Sequence, residues 1–181
     1  MARTKIDYGI DLGTTNSSIA RNDAGEIRII KSDEVQSDTT SSCVYYDKKK
    51  RIIVGQKALS ARAKEAEDSS ARYEKGEETI ENSFIEFKRT MGMDKPYHSS
   101  NMKRSFSSEE LSAEVLKKLK SYVRDDDEIR AIIITVPAMF QQPQIDATQR
   151  AADLAGFQYC ELLQEPIAAS MAYGLSAKRT D

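Results

Sequence analysis

Residues 6–17 read IDYGIDLGTTNS. A short apolar run ends at Asp11, the chain turns through Leu12-Gly13-Thr14-Thr15-Asn16, and a strand-like run resumes from Ser17 to Ala20. A connection this short makes the two runs antiparallel neighbours, so the stretch predicts a β-hairpin. The turn is rich in hydrogen-bond donors. Gly13 is free to take a positive φ and lets the backbone approach a ligand, while Thr14, Thr15 and Asn16 offer successive N–H groups and short polar side chains, as an anion-binding nest requires. Asp11, at the strand end, is placed to hold a hydrated Mg²⁺ beside a phosphate. A ligand-free hairpin turn capped by an Asx motif fits the same residues.

Outward from this stretch, residues 5–10, 17–22 and 26–30 read as three strands of a meander. Residues 31–42 (KSDEVQSDTTSS) are polar and turn-like, and an apolar pair follows at Cys43–Tyr46 and Arg51–Val54 around a basic turn, Lys48 to Arg51. That tetrad lacks interleaved aromatics, so it reads as a solvated turn rather than a nucleic-acid patch. From Gly55 to Gly76 the chain permits a helix but carries few large apolar residues, which predicts a surface element. Ile80, Phe84, Phe87 and Met91 recur at helical spacing and predict an amphipathic helix ending near Gly92, with Lys88 on it. Residues 94–108 read as a polar loop with His98 exposed.

Ser107 with Glu110 three residues on is a capping box, and Leu111, Val115, Leu116, Leu119, Tyr122 and Val123 form one apolar stripe behind it. The acidic run Arg124–Glu128 reads as a solvated turn. AIIITV at 131–136 is an uninterrupted β-branched run, which predicts a parallel strand buried on both faces. A helix from about Pro143 to Ala155, a strand at Tyr159–Leu163, and a helix opened by Glu165-Pro166 and running to Tyr173 with Gly174 past its end complete the order. Strands alternating with helices imply right-handed crossovers onto one sheet. The expected architecture is α/β: a mixed five-stranded sheet flanked by helices, formed by residues 1–38 and 107–181, with 39–106 as an inserted α+β subdomain.

Composition removes several function classes. The 181 residues carry 27 Lys plus Arg against 29 Asp plus Glu, a net charge of -2, so no bulk field attracts nucleic acid or a membrane surface. At 39% hydrophobic content the chain can bury a core. Two cysteines, Cys43 and Cys160, and one histidine exclude a disulfide framework, argue against a Cys/His zinc site and fit a reducing cytoplasm. No apolar run of membrane-spanning length is present, and Met1 leads almost directly into the first strand, so neither a signal peptide nor a membrane span is expected.

Ile10 to Ser17 (IDLGTTNS), Val54-Gly55-Gln56, Phe87-Lys88-Arg89, Leu111 to Leu119 (LSAEVLKKL), Ile134 to Phe140 (ITVPAMF) and Gln164 to Gly174 (QEPIAASMAYG) together resemble the 70-kilodalton heat-shock chaperones of the DnaK type. The blocks come in the family's order and span nearly the whole chain. The resemblance implies the actin-like ATPase (ribonuclease H-like) fold, with this chain as the first lobe of a nucleotide-binding domain for ATP or ADP with Mg. In that frame Asp11 matches the aspartate that holds Mg²⁺ through water, and Gly13, Thr14, Thr15 and Asn16 match the first phosphate loop. Lys88 matches the lysine that reaches the γ-phosphate and the attacking water, and Glu165 the carboxylate that orients or deprotonates that water. On the residues alone, Lys88 also reads as a lysine snorkelling off an apolar stripe, and Glu165 as a carboxylate facing a helix dipole.

The same resemblance implies that client peptides and co-chaperones engage parts of a parent protein beyond Asp181, where the second phosphate loop and the adenosine segment also lie. The chain departs from the pattern in places. Met139 stands for an aromatic, Gln141 to Ile145 replace a segment with an arginine where Ile145 stands, Ile167 stands for a threonine and Ser41 for a proline, and the stretch from Gly55 to Glu78 is longer than usual. In the family that arginine serves coupling to the substrate domain and to co-chaperones, and the resemblance carries neither coupling over to Ile145. Two other classes stay open: a small-molecule kinase sharing the D-x-G-T turn, and a nucleotide-binding scaffold that does not hydrolyse.

Overall fold

A computed structural model describes residues 6–123, 129 and 131–172. In chain order the elements are β1 (Tyr8–Asp11), β2 (Asn16–Asp23), β3 (Glu26–Ile29), β4 (Thr40–Ser41), β5 (Val44–Tyr46), β6 (Ile52–Val54), α1 (Gln56–Glu74) and β7 (Ser83–Phe84). A 3₁₀ turn (Phe87–Thr90), β8 (Tyr97–Ser99), β9 (Arg104–Phe106), α2 (Ser108–Lys120), β10 (Ala131–Val136), α3 (Gln142–Leu154), β11 (Tyr159–Gln164) and α4 (Glu165–Ala172) follow.

The main sheet runs β11-β10-β1-β2-β3, mixed as expected: β10 lies parallel to both β1 and β11, while β1, β2 and β3 form the antiparallel meander. It has six strands rather than five, because β4 pairs with the first residues of β2, Asn16 opposite Ser41 and Ser17 opposite Thr40. Two polar residues carry no strand signal of their own, so this pairing was invisible in a stretch read as turn. Register sorts the sheet's faces. Ile10 lies beside Ile134 and opposite Ile19, and all three are buried with Ile132 in one core to which α2 contributes Leu111, Val115, Leu116 and Leu119 and α3 contributes Ala147, Ala151 and Ala152. The expectation that β10 is buried on both faces needs correction: Ala131, Ile133 and Thr135 on its other face are only half-buried by the described residues. β-Branched runs signal a central parallel strand more reliably than two-sided burial.

The amphipathic helix expected through Ile80, Phe84, Phe87 and Met91 is absent. Phe84 sits in β7, paired with β5, Glu86 turns left-handed at φ 56°, and Phe87 opens the 3₁₀ turn. Phe84, Phe87 and Met91 are nonetheless all buried, so the spacing reported one-sided burial and not backbone type. A carboxylate explains the extended start. Glu65 of α1 accepts the backbone N–H groups of Asn82 (3.1 Å) and Ser83 (2.9 Å), giving them acceptors outside any helix. The loop expected at 94–108 is also a hairpin, β8 against β9, whose Phe106 stacks on Tyr46 at 4.2 Å and whose Tyr97 meets Phe84 edge-on at 5.6 Å. One inward aromatic per strand was too sparse a pattern to read as alternation. His98 is exposed there, its ring nitrogen 3.3 Å from Ser105 across the strands.

Elsewhere the elements follow the pattern. α1 lies on the surface with Ala58 as its one buried residue, the Lys48–Arg51 turn is exposed, and the Ser107–Glu110 capping box is formed from both sides, at 3.2 and 2.9 Å. Arg124–Glu128 and the end of the last helix at Tyr173-Gly174 lie outside the described residues. One connected buried cluster runs from the main sheet through Val44, Tyr46 and Val54 to Phe106, across both boundaries drawn at 38/39 and 106/107.

Candidate functional site

Four chain segments converge at the carboxyl ends of the two central strands, a usual place for a ligand crevice in an α/β sheet. β1 ends in Asp11, and its parallel neighbour β10 brings Thr135 beside it, so that the Thr135 hydroxyl donates to Asp11 Oδ1 at 3.0 Å. β11 ends at Gln164, and the next residue, Glu165, begins α4. The 3₁₀ turn supplies Lys88 from the far side. Asp11, Gly13, Thr14, Lys88, Thr135, Pro137, Glu165 and Ala168 line one open cleft of about 550 Å³.

Lys88 is the least ordinary of these side chains. Only 8% of it is exposed, its Nζ donates to Glu165 Oε1 at 3.0 Å, and it lies 5.7 Å from the centre of the Phe140 ring. A buried ammonium needs a partner, and here a half-exposed carboxylate and an aromatic face supply it. Asp11 remains exposed, with one of its oxygens taken by Thr135.

The turn after Asp11 differs from expectation in its backbone. Gly13 does not adopt a positive φ. Glycine is required there for space, because a Cβ would fall on the Asn16 carbonyl. The loop is fastened from beneath: the Gly13 N–H donates to Ser17 Oγ (3.1 Å), Ser42 Oγ donates to the Gly13 carbonyl (2.8 Å), and the Ser42 N–H donates to the Thr15 carbonyl (2.8 Å). Gly13 and Thr14 line the cleft, whereas Thr15 and Asn16 are exposed beyond it, and Asn16 lines a small polar cavity of about 80 Å³ with Thr40, Ser41 and Tyr122.

The structure thus brings Asp11, Gly13, Thr14, Lys88 and Glu165 to one cleft and leaves Thr15 and Asn16 at its edge. Sequence reading passed over Thr135, Phe140, Ser17 and Ser42. Thr135 looked like one more β-branched strand residue, and Ser42 like a turn residue in a polar stretch; only strand register shows what each touches. Two carboxylates, a buried cation and a loop of backbone amides suit a polyanion escorted by a divalent cation. Among the described residues no group of three His, Cys, Asp or Glu side chains could cage a metal. A single exposed carboxylate such as Asp11 fits Mg²⁺ instead, which keeps most of its waters and shares phosphate oxygens.

The family model described as "Hsp70 protein" matches residues 7–181. The "Chaperone protein dnaK" of Thalassiosira pseudonana is 38% identical over 186 residues, covering 96% of this chain and 30% of that relative. The protein of the same name from Phaeodactylum tricornutum is 36% identical over 199 residues, with the same coverage. "Heat shock 70 kDa protein 7, chloroplastic" of Arabidopsis thaliana is 36% identical, covering 96% of this chain and 25% of the relative. The chain spans about 30% of the length of the curated relatives it matches.

Proposed function

The chain belongs to the Hsp70 family and has that family's actin-like ATPase fold, and from this premise we propose that it is the first lobe of an ATP-dependent chaperone's nucleotide-binding domain. In this reading residues 1–38 and 107–181 form the part bearing the main sheet, and 39–106 the inserted part. The loop at Gly13–Asn16 would receive the phosphates of Mg·ATP, and Asp11 is the residue that would hold the Mg²⁺. The metal supplies charge neutralisation for the phosphates. Lys88 faces the γ-phosphate as a point charge, and Glu165 orients the attacking water and accepts its proton. The observation that carries the reading is the Lys88–Glu165 pair, 3.0 Å long and opening into the cleft that Asp11 and the phosphate loop also line. A buried cation held by a half-exposed carboxylate can turn to phosphate oxygens and leave that carboxylate for water.

In the parent protein, hydrolysis would drive binding and release of unfolded peptides, with client and co-chaperone contacts made outside this chain. Cys43 and Cys160 are both free, which fits a reducing compartment; one relative is named as chloroplastic, and fractionation distinguishes cytoplasm from organelle. The enzymatic reading is tested with Glu165→Gln in the full-length protein, which keeps the shape and a hydrogen bond to Lys88 but removes the base. Mg·ATP should still bind while single-turnover hydrolysis slows by about 10²-fold or more. Equal loss of binding and turnover would assign Glu165 a purely structural place at the start of α4.

A further inference from the structure

The phosphate loop rests on two buried serines whose hydrogen-bond directions follow from their partners. Ser17 and Ser42 are 1% and 2% exposed, and their hydroxyl oxygens lie 2.9 Å apart. Ser42 Oγ donates to the Gly13 carbonyl, which only accepts, so its single proton is committed there. The Ser17 hydroxyl must therefore donate to Ser42, and Ser17 in turn accepts the Gly13 N–H. These bonds close a ring that runs from the Gly13 N–H through Ser17 and Ser42 back to the Gly13 carbonyl. Every proton in it has an acceptor.

Ser42 does more than complete the ring, because its own N–H also holds the Thr15 carbonyl at 2.8 Å. It grips two loop carbonyls, two residues apart, from one side. In a trans peptide the N–H of the next residue points opposite to the carbonyl, and the described peptides are all trans. Holding the Gly13 and Thr15 carbonyls down therefore turns the N–H groups of Thr14 and Asn16 up, away from the serine pair. Thr14 is the loop threonine that lines the cleft.

We propose that Ser42 is a positioning residue for nucleotide phosphate, holding the Gly13 carbonyl so that the Thr14 N–H is aimed as a preorganised donor, with Ser17 as its relay. The inference rests on the phosphate-binding reading of the cleft. It also places a determinant of phosphate affinity in the segment after β4, distant in sequence from the loop it touches. Donors fixed before the ligand arrives bind more tightly than donors that must be ordered on binding.

The test compares wild type, Ser42→Ala and Ser17→Ala in the full-length protein, measuring the melting temperature without nucleotide, the rise in melting temperature with Mg·ATP, and the Mg·ATP dissociation constant. Ser42→Ala should weaken Mg·ATP binding by about tenfold, the scale of one lost hydrogen bond to a half-buried carbonyl, while the nucleotide-free protein melts within a few degrees of wild type. Ser17→Ala should lose affinity in the same sense but less, and it carries the test alone should Ser42→Ala fail to fold. Affinity within twofold of wild type in the folded variants, or a lower nucleotide-free melting temperature with the Mg·ATP increment intact, would overturn the positioning role. A wild-type protein that shows no Mg·ATP increment at all fails on the phosphate-binding reading itself, a result distinguishable from the other two.

Discussion

At Lys88 the roles of packing and chemistry can be separated. Its ammonium is nearly buried, and burial of a cation is costly unless a partner offsets it, so a lysine kept only for packing would sit better as methionine or leucine. Its partner Glu165 is far less buried, at 44% exposure, which lets water reach one member of the pair and not the other. Lys88→Ala should therefore leave the fold intact, since the carboxylate left behind can be solvated. If Lys88 faces the γ-phosphate as proposed, the same change in the full-length protein should lower kcat by roughly 10² or more while Mg·ATP affinity stays within about tenfold, the pattern of a group that acts on charge developing in the transition state. Single-turnover phosphate release beside a binding titration checks both. An unchanged kcat would remove Lys88 from the catalytic assignment and return it to the core.

Among the elements, the hairpin formed by β5 and β6 makes the point that a turn can be held by one carboxylate. Asp47 accepts the backbone N–H groups of Lys49 and Arg51, both at 2.8 Å, and the Arg51 Nε at 2.6 Å. The Arg51 N–H above all, with the guanidinium and the Lys49 N–H, holds the Asp47 carboxyl below its ordinary value of 3.8 despite the opposing effect of desolvation. A carboxylate with a depressed folded pKa stabilises the fold above its unfolded pKa and loses that contribution as pH falls through the folded one. Asp47→Asn should thus melt a few degrees below wild type near neutrality, and the two proteins should converge as the pH drops below 3.8. A gap that stays constant down to pH 2 would mean that the charge is irrelevant and that hydrogen-bond geometry alone matters.

Over the whole molecule, one buried cluster joins the main sheet, the small β5–β7 sheet and the β8–β9 hairpin, so the 181-residue chain should fold cooperatively by itself. Turnover is another matter, because in the proposed reading this cleft supplies phosphate contacts from one wall, and the family resemblance places the adenosine segment beyond Asp181. With each tenfold in affinity worth about 1.4 kcal/mol, losing the contacts of an opposite wall should weaken Mg·ATP binding to about the millimolar range or beyond. A single sharp melt by circular dichroism, with calorimetric titration giving no micromolar binding and no steady phosphate release, is the expected outcome. Micromolar affinity or steady phosphate release from this chain would show that no further lobe is needed and overturn the proposed placement of the site. Much of this architecture was determined by sequence alone, because it depends on local chemistry: the β1–β2 hairpin at Asp11 to Asn16, the capping box that starts α2, the β-branched run that makes β10 central, and the Glu165-Pro166 helix start. Features held by residues distant in sequence emerge only on folding. Ser83 opens a strand rather than a helix while Glu65, on another element, accepts the N–H groups of Asn82 and Ser83, so a helix-like spacing became a strand and a 3₁₀ turn. Gly13 needs its missing Cβ because the Asn16 carbonyl occupies that space, and Ser42 reaches the Gly13–Thr15 loop because β4 pairs with β2. Periodicity records which side of a segment is buried, but the choice of backbone and the aim of a side chain are set by whichever group stands opposite, and that group is named only once the chain has folded.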